Sequence, residues 1–254
     1  MTLTQDAVND TPARVRAVFA GPIRALHSAR VPDGPITAWR SAILKSAIES
    51  PIMIGPLGLQ GDAQKEKKHH GGLMKAVLVY AAAHYAHWDD TLRPHARAHA
   101  DALRSMSADV DASAYGFGAF GENLTVDGLT EQSVFLGDVW RIGGCVLQIS
   151  EPRGPCATLT RRWMCPALLT DVRATAAAGW YNSVREPGLV SAGDSLQLLD
   201  RVQEDWSMAR VFSLIEQRVS ERTHVQALHD APFVHDALRD RLARRLATPG
   251  RVRD

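Results

Sequence analysis

Five short β-like runs follow one another between residues 122 and 199, and their spacing constrains the fold of this chain more than any other feature. Gly-Asp and Gly-Gly pairs lie between the runs, as tight turns between strands require. Short strands joined by such turns are typical of an antiparallel barrel. The sequence therefore predicts a mainly β (α+β) fold with a barrel-like core. The runs lie at residues 124–126, 134–136, 139–142, 146–149 and 195–198.

Strand-like patterns also precede this region. Alternation of apolar and polar residues predicts a first strand that starts near Arg14. The pattern places Val15, Ala17 and Phe19 together on one side of that strand. The apolar run at residues 76–80 follows a glycine pair and contains no polar position, which indicates a fully buried strand.

Helical patterns interrupt and follow the predicted barrel. A helix at residues 81–92 is expected to stop at Pro94, because proline lacks a backbone N–H and clashes with the preceding turn. Helical sequence returns at residues 157–178 and again from Ser207 onward, where apolar residues recur every four positions. These segments predict helical insertions and a small helical appendage at the end of the chain. The apolar face of its last helix consists of Val234, Leu238, Leu242 and Leu246.

The balance of charges argues against a polyanion as the main partner. The 254 residues include 29 Lys and Arg against 28 Asp and Glu, so the net charge is +1 and no nucleic-acid partner is expected. Hydrophobic residues make up 45% of the chain, which is enough for a substantial core. The longest apolar run, 76–83, is too short to span a membrane. The N-terminal residues lack a basic start and an apolar segment, so a cytoplasmic location is expected.

Glycines and cationic side chains are densest at residues 58–72. Backbone N–H groups beside glycines can converge with lysine and imidazole donors on an anion such as phosphate. A lysine run by itself is more typical of a solvated basic loop, and only the neighbouring glycines and histidines favour an anion site, so both interpretations stay open at this point. The polar side chains here are Asp62, Lys65, Lys67, Lys68, His69 and His70, and Gly71 and Gly72 end the segment.

A second group of candidate residues surrounds one of the three cysteines, Cys156. Two prolines fix the backbone beside it, and a thiol at the start of a helix has its thiolate stabilised by the peptide dipoles. Arg153 adds a positive charge that can bind a phosphate or a carboxylate. Cys156 is therefore the best candidate for a nucleophile or a metal ligand, although most lone cysteines are small buried hydrophobes. We expect that inert role for Cys145 and Cys165.

Glu122 and Asn123 lead from a glycine-rich turn into a predicted strand. This arrangement fits either the edge of a ligand site or a turn with a capping asparagine. Two histidine pairs, 84 with 87 and 95 with 99, have spacings that could hold zinc on a helix, but no third ligand follows in pattern. We therefore do not expect a zinc site in either place.

Four motifs in this order resemble the MOSC family, named after the C-terminal domain of molybdenum-cofactor sulfurase, and look most similar to its YiiM-like bacterial subgroup. The motifs are GLQGDAQKEKKHHGG (58–72), FGENLTVDGL (120–129), GDVWRIGGCVLQISEPRGPC (137–156) and GWYNSVREPGLVSAGD (179–194). The resemblance implies a MOSC-type β-barrel core with helical insertions and a small C-terminal three-helix (3-alpha) region. We accordingly expect a flexible N-terminus at 1–13, a MOSC β-barrel domain at 14–202 and a helical region at 203–254.

The resemblance also implies a molybdenum cofactor, molybdopterin, with Cys156 as the metal ligand. A soft thiolate suits such a metal. From residue type and motif position we infer further cofactor-binding residues, namely Lys67, Lys68, His70, Gly71, Gly72, Asn123, Arg153 and Arg185. His69 departs from the family pattern, in which an apolar residue usually stands between the lysines and the HGG.

The activity that the resemblance implies is the reduction of N-hydroxylated compounds, such as hydroxylaminopurine-type base analogues. Candidate proton donors are His70, Glu122 and Asp62. The sequence contains no flavin, haem or iron–sulfur motif, so electrons are expected from a separate reductase. Two alternatives use the same thiol and the same anion site: a sulfur carrier with a persulfide on Cys156, and a non-catalytic carrier of the cofactor. We also expect a homodimer.

Overall fold

The computed structural model describes residues 12–66, 70–216 and 220–253. Eight strands form one sheet in the order β13-β9-β10-β11-β7-β8-β1-β4, in which only β7 and β8 pair in parallel. The described strands are β1 (Arg14–Ala20), β2 (Arg24–Ser28), β3 (Thr37–Ser41), β4 (Ser46–Ala47), β5 (Ile52–Gly55), β6 (Gly58–Leu59), β7 (Val77–Ala81), β8 (Leu124–Asp127), β9 (Val139–Ile142), β10 (Cys145–Pro152), β11 (Trp180–Glu186), β12 (Gly188–Val190), β13 (Leu196–Asp200), β14 (Ser220–Glu221) and β15 (Val252–Arg253).

The large sheet closes on itself, and this closure forms the predicted barrel. The start of β1 lies beside the start of β13, where Arg14 forms a bridge with Ser195. The backbone N–H of Val15 donates to the carbonyl of Asp194 at 2.8 Å, and that of Leu196 donates to the carbonyl of Ala13 at 2.9 Å. Apolar side chains from the joined strands form one buried cluster, including Val18, Val79, Leu124, Leu147 and Trp180.

The predicted alternation along β1 is wrong after its first residues. Val15 belongs to the barrel cluster as expected, but a register shift between Val15 and Ala17 changes which side the later residues face. Val18 therefore joins the core, whereas Phe19 is buried outside that cluster, against Gly118. A β-bulge inserts one extra residue into a strand and so reverses the alternation beyond it.

The predicted strand at 134–136 is also absent from the described sheets. Val134 and Leu136 are buried, but Phe135 makes only an isolated bridge with Ser207. The backbone N–H of Leu136 donates to the carbonyl of Trp206 at 2.9 Å. This segment therefore uses its backbone groups to hold the chain that leads into the C-terminal helices.

Seven α-helices pack around the barrel in the described parts of the chain. They are α1 (Tyr85–Ala98), α2 (Ala100–Arg104), α3 (Ala157–Trp163), α4 (Ala167–Thr175), α5 (Met208–Glu216), α6 (Arg222–Asp230) and α7 (Asp236–Ala247), with short 3-10 helices at Leu73–Lys75 and Ala82–His84. Helices α5 to α7 form the expected three-helix arrangement. None of the described helices has both the length and the apolar character that a membrane crossing requires.

Helix α1 does not stop at Pro94, as the sequence predicted, but continues for four more residues to Ala98. Trp88, Leu92 and Ala96 are buried on one face of the helix, in a second apolar cluster outside the barrel. Burial of this face offsets the hydrogen bond that proline removes. The helix therefore passes through the proline because its apolar residues recur on both sides of it.

The predicted apolar face of the last helix is confirmed. Leu238 and Leu242 are fully buried and Val234 is nearly so, while Leu246 packs against the same cluster. That cluster is the one that fills the barrel, and α5 contributes Met208 to it. The three C-terminal helices thus share their core with the β-structure.

Candidate functional site

A cationic cavity of about 320 Å³ opens beside the barrel, and five of the candidate residues line it, namely Asp62, His70, Asn123, Arg153 and Cys156. Its wall combines the β2–β3 hairpin, the segments on either side of β7, and the junction between β10 and α3. Seven Lys or Arg side chains line it against two carboxylates, so the cavity favours an anion. The basic residues are Arg30, Arg40, Lys45, Lys65, Lys75, Arg153 and Arg161, and the acidic ones are Asp62 and Glu66.

Cys156 lies at the N-terminus of α3, four residues after β10 ends, and its side chain faces this cavity. Burial raises the pKa of the thiol, but the hydrogen bond with His70 and the positive charge of Arg153 outweigh burial and bring the pKa down to about 6. A hydrogen bond from the backbone of Leu159 acts in the same direction. Cys156 is therefore mainly a thiolate at neutral pH.

His70 and Tyr181 stand beside this thiolate. The Nδ1 atom of His70 lies 3.2 Å from the hydroxyl of Tyr181, which β11 carries into the cavity. Burial raises the pKa of Tyr181 to about 12 although the charge of Arg153 opposes it, so Tyr181 keeps its proton at neutral pH. The imidazole thus links a neutral phenol to an anionic sulfur.

Arg153 is a buried cation with free hydrogen-bonding capacity. It is 5% exposed, and its backbone N–H donates to the carbonyl of Gly179 at 3.0 Å. Among the described residues, no carboxylate or other acceptor pairs with its guanidinium. Burial lowers the pKa of this group, but the negative charge of Cys156 raises it above its ordinary value. Burying a charged group without a partner costs free energy, and an anionic ligand that pairs with the guanidinium would offset that cost.

Asp62 reaches the cavity wall, but its carboxylate is occupied. It forms an ion pair with Lys45, accepts from the backbone N–H of Gly21 at 3.0 Å, and accepts from the amide of Asn123 at 2.9 Å. Three partners already hold this carboxylate, so its contacts give no support to the predicted role of Asp62 as a proton donor. The residue instead fixes Lys45 and Asn123.

Asn123 also lines the cavity with its side chain already engaged. Its Oδ1 accepts from the backbone N–H of Leu78 at 3.1 Å, and its Nδ2 donates to the carbonyl of Phe19 at 3.2 Å as well as to Asp62. These contacts join β1, β7 and the start of β8. Asn123 is placed to shape the wall rather than to donate to a ligand.

Glu122 does not reach the cavity, which corrects its predicted role as a proton donor. Its side chain is fully buried and accepts from the hydroxyl of Tyr85 at 2.6 Å, from the backbone N–H of Gly118 at 2.8 Å and from the hydroxyl of Thr125 at 2.9 Å. The carboxylate therefore holds the glycine-rich turn that precedes β8. The role of this buried carboxylate is to accept hydrogen bonds that hold the turn in place.

Three of the predicted cofactor-binding residues lie away from the cavity lining. Arg185 is exposed near the end of β11. Gly71 and Gly72 form the turn before the 3-10 helix, where Gly72 has a φ of 85°, and the cation that reaches the cavity from this segment is Lys75. Lys67, Lys68 and the unusual His69 lie outside the described residues.

Several cavity residues escaped the sequence analysis. Lys75 and Tyr181 lie inside or next to quoted motifs, so their positions in these motifs could have marked them. Lys45 and Trp39 come from an N-terminal segment with no recognisable motif. The guanidinium of Arg161 stacks over the ring of Trp39 at 4.6 Å and donates to the carbonyl of Thr37 at 2.9 Å, so α3 holds the β2–β3 hairpin against the cavity.

The two histidine pairs have other partners. His84 lies 2.6 Å from a carboxylate oxygen of Glu131, and the Nε2 atom of His95 lies 2.9 Å from the carbonyl of Trp163. Within the ranges that the structure describes, no three His, Cys, Asp or Glu side chains come together as a metal site.

The chain is similar in sequence to known proteins of one domain family. The MOSC domain matches residues 66–197, more than half of the chain, and MOSC domains are associated in general with binding of the molybdenum cofactor. Protein YiiM of Escherichia coli is 36% identical over 187 residues, which cover 74% of this chain and 72% of YiiM. A Gibberella moniliformis protein named "Reductase" is 32% identical over 179 residues, covering 70% of this chain and 29% of that protein.

A solved structure has the same fold. The crystal structure of YiiM from Geobacillus stearothermophilus superposes with a TM-score of 0.67 at 23% identity, covering 92% of this chain and 100% of that one. The structural match shows the shared fold, and the sequence matches show the family. The chain belongs to the MOSC-domain family, as a YiiM-like member.

Proposed function

We propose that this chain binds a molybdenum cofactor in the cationic cavity and reduces N-hydroxylated compounds there. The observation that carries this proposal is the combination of Cys156, a thiol with a pKa of about 6, and the buried guanidinium of Arg153, which has no side-chain partner among the described residues. The thiolate of Cys156 is a soft ligand for a metal, and the guanidinium of Arg153 binds a hard anion such as phosphate. A metal cofactor that carries a phosphate uses both groups.

The residues present fit a molybdenum–pterin cofactor. Thiolate sulfur is a suitable ligand for the metal, so Cys156 would bind it. A single protein thiolate suffices where the metal arrives with ligands of its own. The phosphate of the pterin would pair with Arg153, which forms bidentate hydrogen bonds with such groups. Lys75 would add a second positive charge to the same wall.

The overall reaction converts R–NH–OH, two electrons and two protons into R–NH2 and water. When bound, the cofactor supplies the redox chemistry at the N–O bond. The chain positions the substrate and provides a proton, for which His70 is the best placed group because it stands between the thiolate and Tyr181. The rings of Trp39 and Tyr181 line the cavity and offer apolar surface to a planar base.

The similar proteins support oxidoreductase activity in general and do not identify the substrate. The family is associated with the molybdenum cofactor, and one relative carries the name "Reductase". That relative is much longer than the matched segment, which makes up 29% of it. We infer that the electrons for this chain come from a separate donor protein.

The test compares Cys156→Ser with Cys165→Ser in protein purified from a host that makes the cofactor. Cys165 is a matched control because it is also half-buried, while burial raises its pKa. We expect near-stoichiometric molybdenum and pterin in the wild type and in Cys165→Ser. The Cys156→Ser variant should lose most of the metal and at least about 100-fold in reduction of an N-hydroxylated base. Equal metal content in both variants would contradict the proposal.

A thiolate of this kind also suits a sulfur carrier, which is the second candidate. Its persulfide would add the mass of one sulfur atom to the intact protein, and the addition would disappear in Cys156→Ser. Wild-type protein with this added mass and no molybdenum would favour the carrier. Bound cofactor without any turnover would favour storage of the cofactor for another enzyme.

A further inference from the structure

A second concentration of positive charge lies on the C-terminal helices. An open concavity of about 620 Å³ is lined by five arginines against a single carboxylate. Since the whole chain carries a net charge of only +1, this is a strong local excess. The arginine patch, as we call it, consists of Arg173, Arg241, Arg244, Arg245 and Arg251, and the carboxylate is Glu216.

Part of this charge is neutralised within the patch and part is left over. Glu216 pairs with Arg241 at 2.6 Å and with Arg173 at 3.7 Å. Arg244 and Arg251 are exposed and pair with no carboxylate among the described residues. Burial lowers the pKa of Arg245, and the charge of Arg251 lowers it further, as expected where like charges crowd together. The patch therefore presents unpaired cations to solvent.

The patch lies directly behind the loop that carries the proposed metal ligand. A Cβ atom added to Gly154 would stand 3.2 Å from a guanidinium nitrogen of Arg241, so this arginine packs on the backbone two residues from Cys156. Arg241 also lies 3.8 Å from Glu151, and Glu151 lies 3.5 Å from Lys75 in the cavity wall. The cavity and the patch are thus separated by one short loop and one buried carboxylate.

We propose that the arginine patch is the docking surface for the acidic face of a separate electron-donor protein. This inference rests on the proposed function, which consumes two electrons and two protons for each N–O bond broken and each water released. The donor is an acidic iron–sulfur or flavin protein, which is oxidised as the substrate is reduced. Docking here brings the donor close to Cys156, and complementary charge speeds the encounter and fixes its orientation.

An acidic protein fits this surface better than a nucleic acid does. Proteins that bind a duplex commonly neutralise about six to ten phosphates, whereas Arg244 and Arg251 are the two patch cations without a carboxylate partner in the part of the chain that the structure describes. Its described lining contains no aromatic side chain on which a base could stack. A compact cationic concavity matches a compact acidic face.

The first test measures binding of an acidic plant-type ferredoxin to the full chain at low ionic strength. Arg244→Glu, alone and combined with Arg251→Glu, should weaken binding by about tenfold or more. Arg97→Glu is the matched control, because Arg97 is likewise an exposed arginine in the last turn of a helix. Equal binding by the double variant and the wild type, or no binding by the wild type, would overturn the proposal. Tighter retention of a short DNA duplex than of ferredoxin would overturn it too.

The second test separates docking from chemistry in the cofactor-loaded protein. With reduced ferredoxin as donor, the double variant should lose about tenfold in turnover of an N-hydroxylated base. With reduced methyl viologen, a small donor that needs no docking surface, the same variant should stay within about twofold of the wild type. Parallel losses with both donors would overturn the docking role. No wild-type turnover with methyl viologen would refute the proposed function instead, and the binding measurement would still decide docking.

Discussion

The three cysteines have the same side chain, but their neighbouring groups give their thiols different pKa values. Cys145 is fully buried, its thiol donates to the carbonyl of Ile142 at 3.2 Å, and burial raises its pKa to about 12. Burial also raises the pKa of Cys165. Cys156 differs because His70 and Arg153 outweigh burial. Only one of the three thiols is therefore ionised near neutral pH.

This difference predicts the pH dependence of alkylation. The thiolate is the reactive form, so the rate of iodoacetamide labelling at Cys156 should rise with pH, with a midpoint at about 6, and level off above it. Labelling is followed site by site by peptide mass spectrometry. His70→Gln should move the midpoint upward, because the hydrogen bond that favours the thiolate is lost.

The other two cysteines serve as internal controls for this titration. Cys165 should react only at alkaline pH, and Cys145 should stay unlabelled in the folded protein. Labelling of Cys156 that follows the same pH curve as Cys165 would contradict the low pKa.

Sequence alone identified the residues of the site that sit in distinctive local patterns. The prolines around Cys156 and the nearby Arg153 indicate a thiol with a constrained backbone in a cationic environment, and this can be read before any contact is known. Glu122 was assigned wrongly because a carboxylate beside glycines looks the same whether it faces backbone N–H groups or a ligand. Lys45 could not be predicted, because only the fold brings it to Asp62.

At the scale of elements, α1 shows that tertiary packing can keep a helix intact across a proline. Pro94 costs the helix one backbone hydrogen bond, yet Leu92 and Ala96 on either side of it are buried. Similarly, a bulge in β1 reverses its alternation and cannot be read from residue types. Runs with unbroken apolar character, such as β7, were predicted to within one residue.

The proline in α1 gives a stability prediction. Pro94→Ala should raise the free energy of unfolding by about 1–3 kcal/mol, because residue 94 regains an N–H that can donate to the carbonyl of Asp90. Denaturant unfolding followed by circular dichroism measures the change. Pro232→Ala is the control, since Pro232 lies outside the helices and offers no helical hydrogen bond to restore. A less stable Pro94→Ala protein would show that the helix depends on the proline geometry.

At the scale of the whole molecule, the barrel and the C-terminal helices share one apolar core. Met208 and Leu238 belong to the same buried cluster as Val79 and Leu147 of the barrel. We propose on this basis that the region 203–254 folds together with the barrel. The polar contact between Arg241 and Glu151 adds a second link between them.

Truncation of one shared side chain tests this coupling. Leu238→Ala should lower the free energy of unfolding by about 2–5 kcal/mol while a single transition is kept. Fluorescence and circular dichroism should report the same midpoint. Leu199→Ala, at a position that is 44% exposed, should change stability by less than about 1 kcal/mol. Separate midpoints for the helices and the barrel would refute a common folding unit.

The bridge between Arg14 and Ser195 sets a condition on how the barrel folds. Because it joins the first strand of the barrel to the last, it forms only after almost the whole barrel sequence has been brought together. Contacts between residues so far apart in the chain slow folding, so we expect closure of the barrel to be a late step.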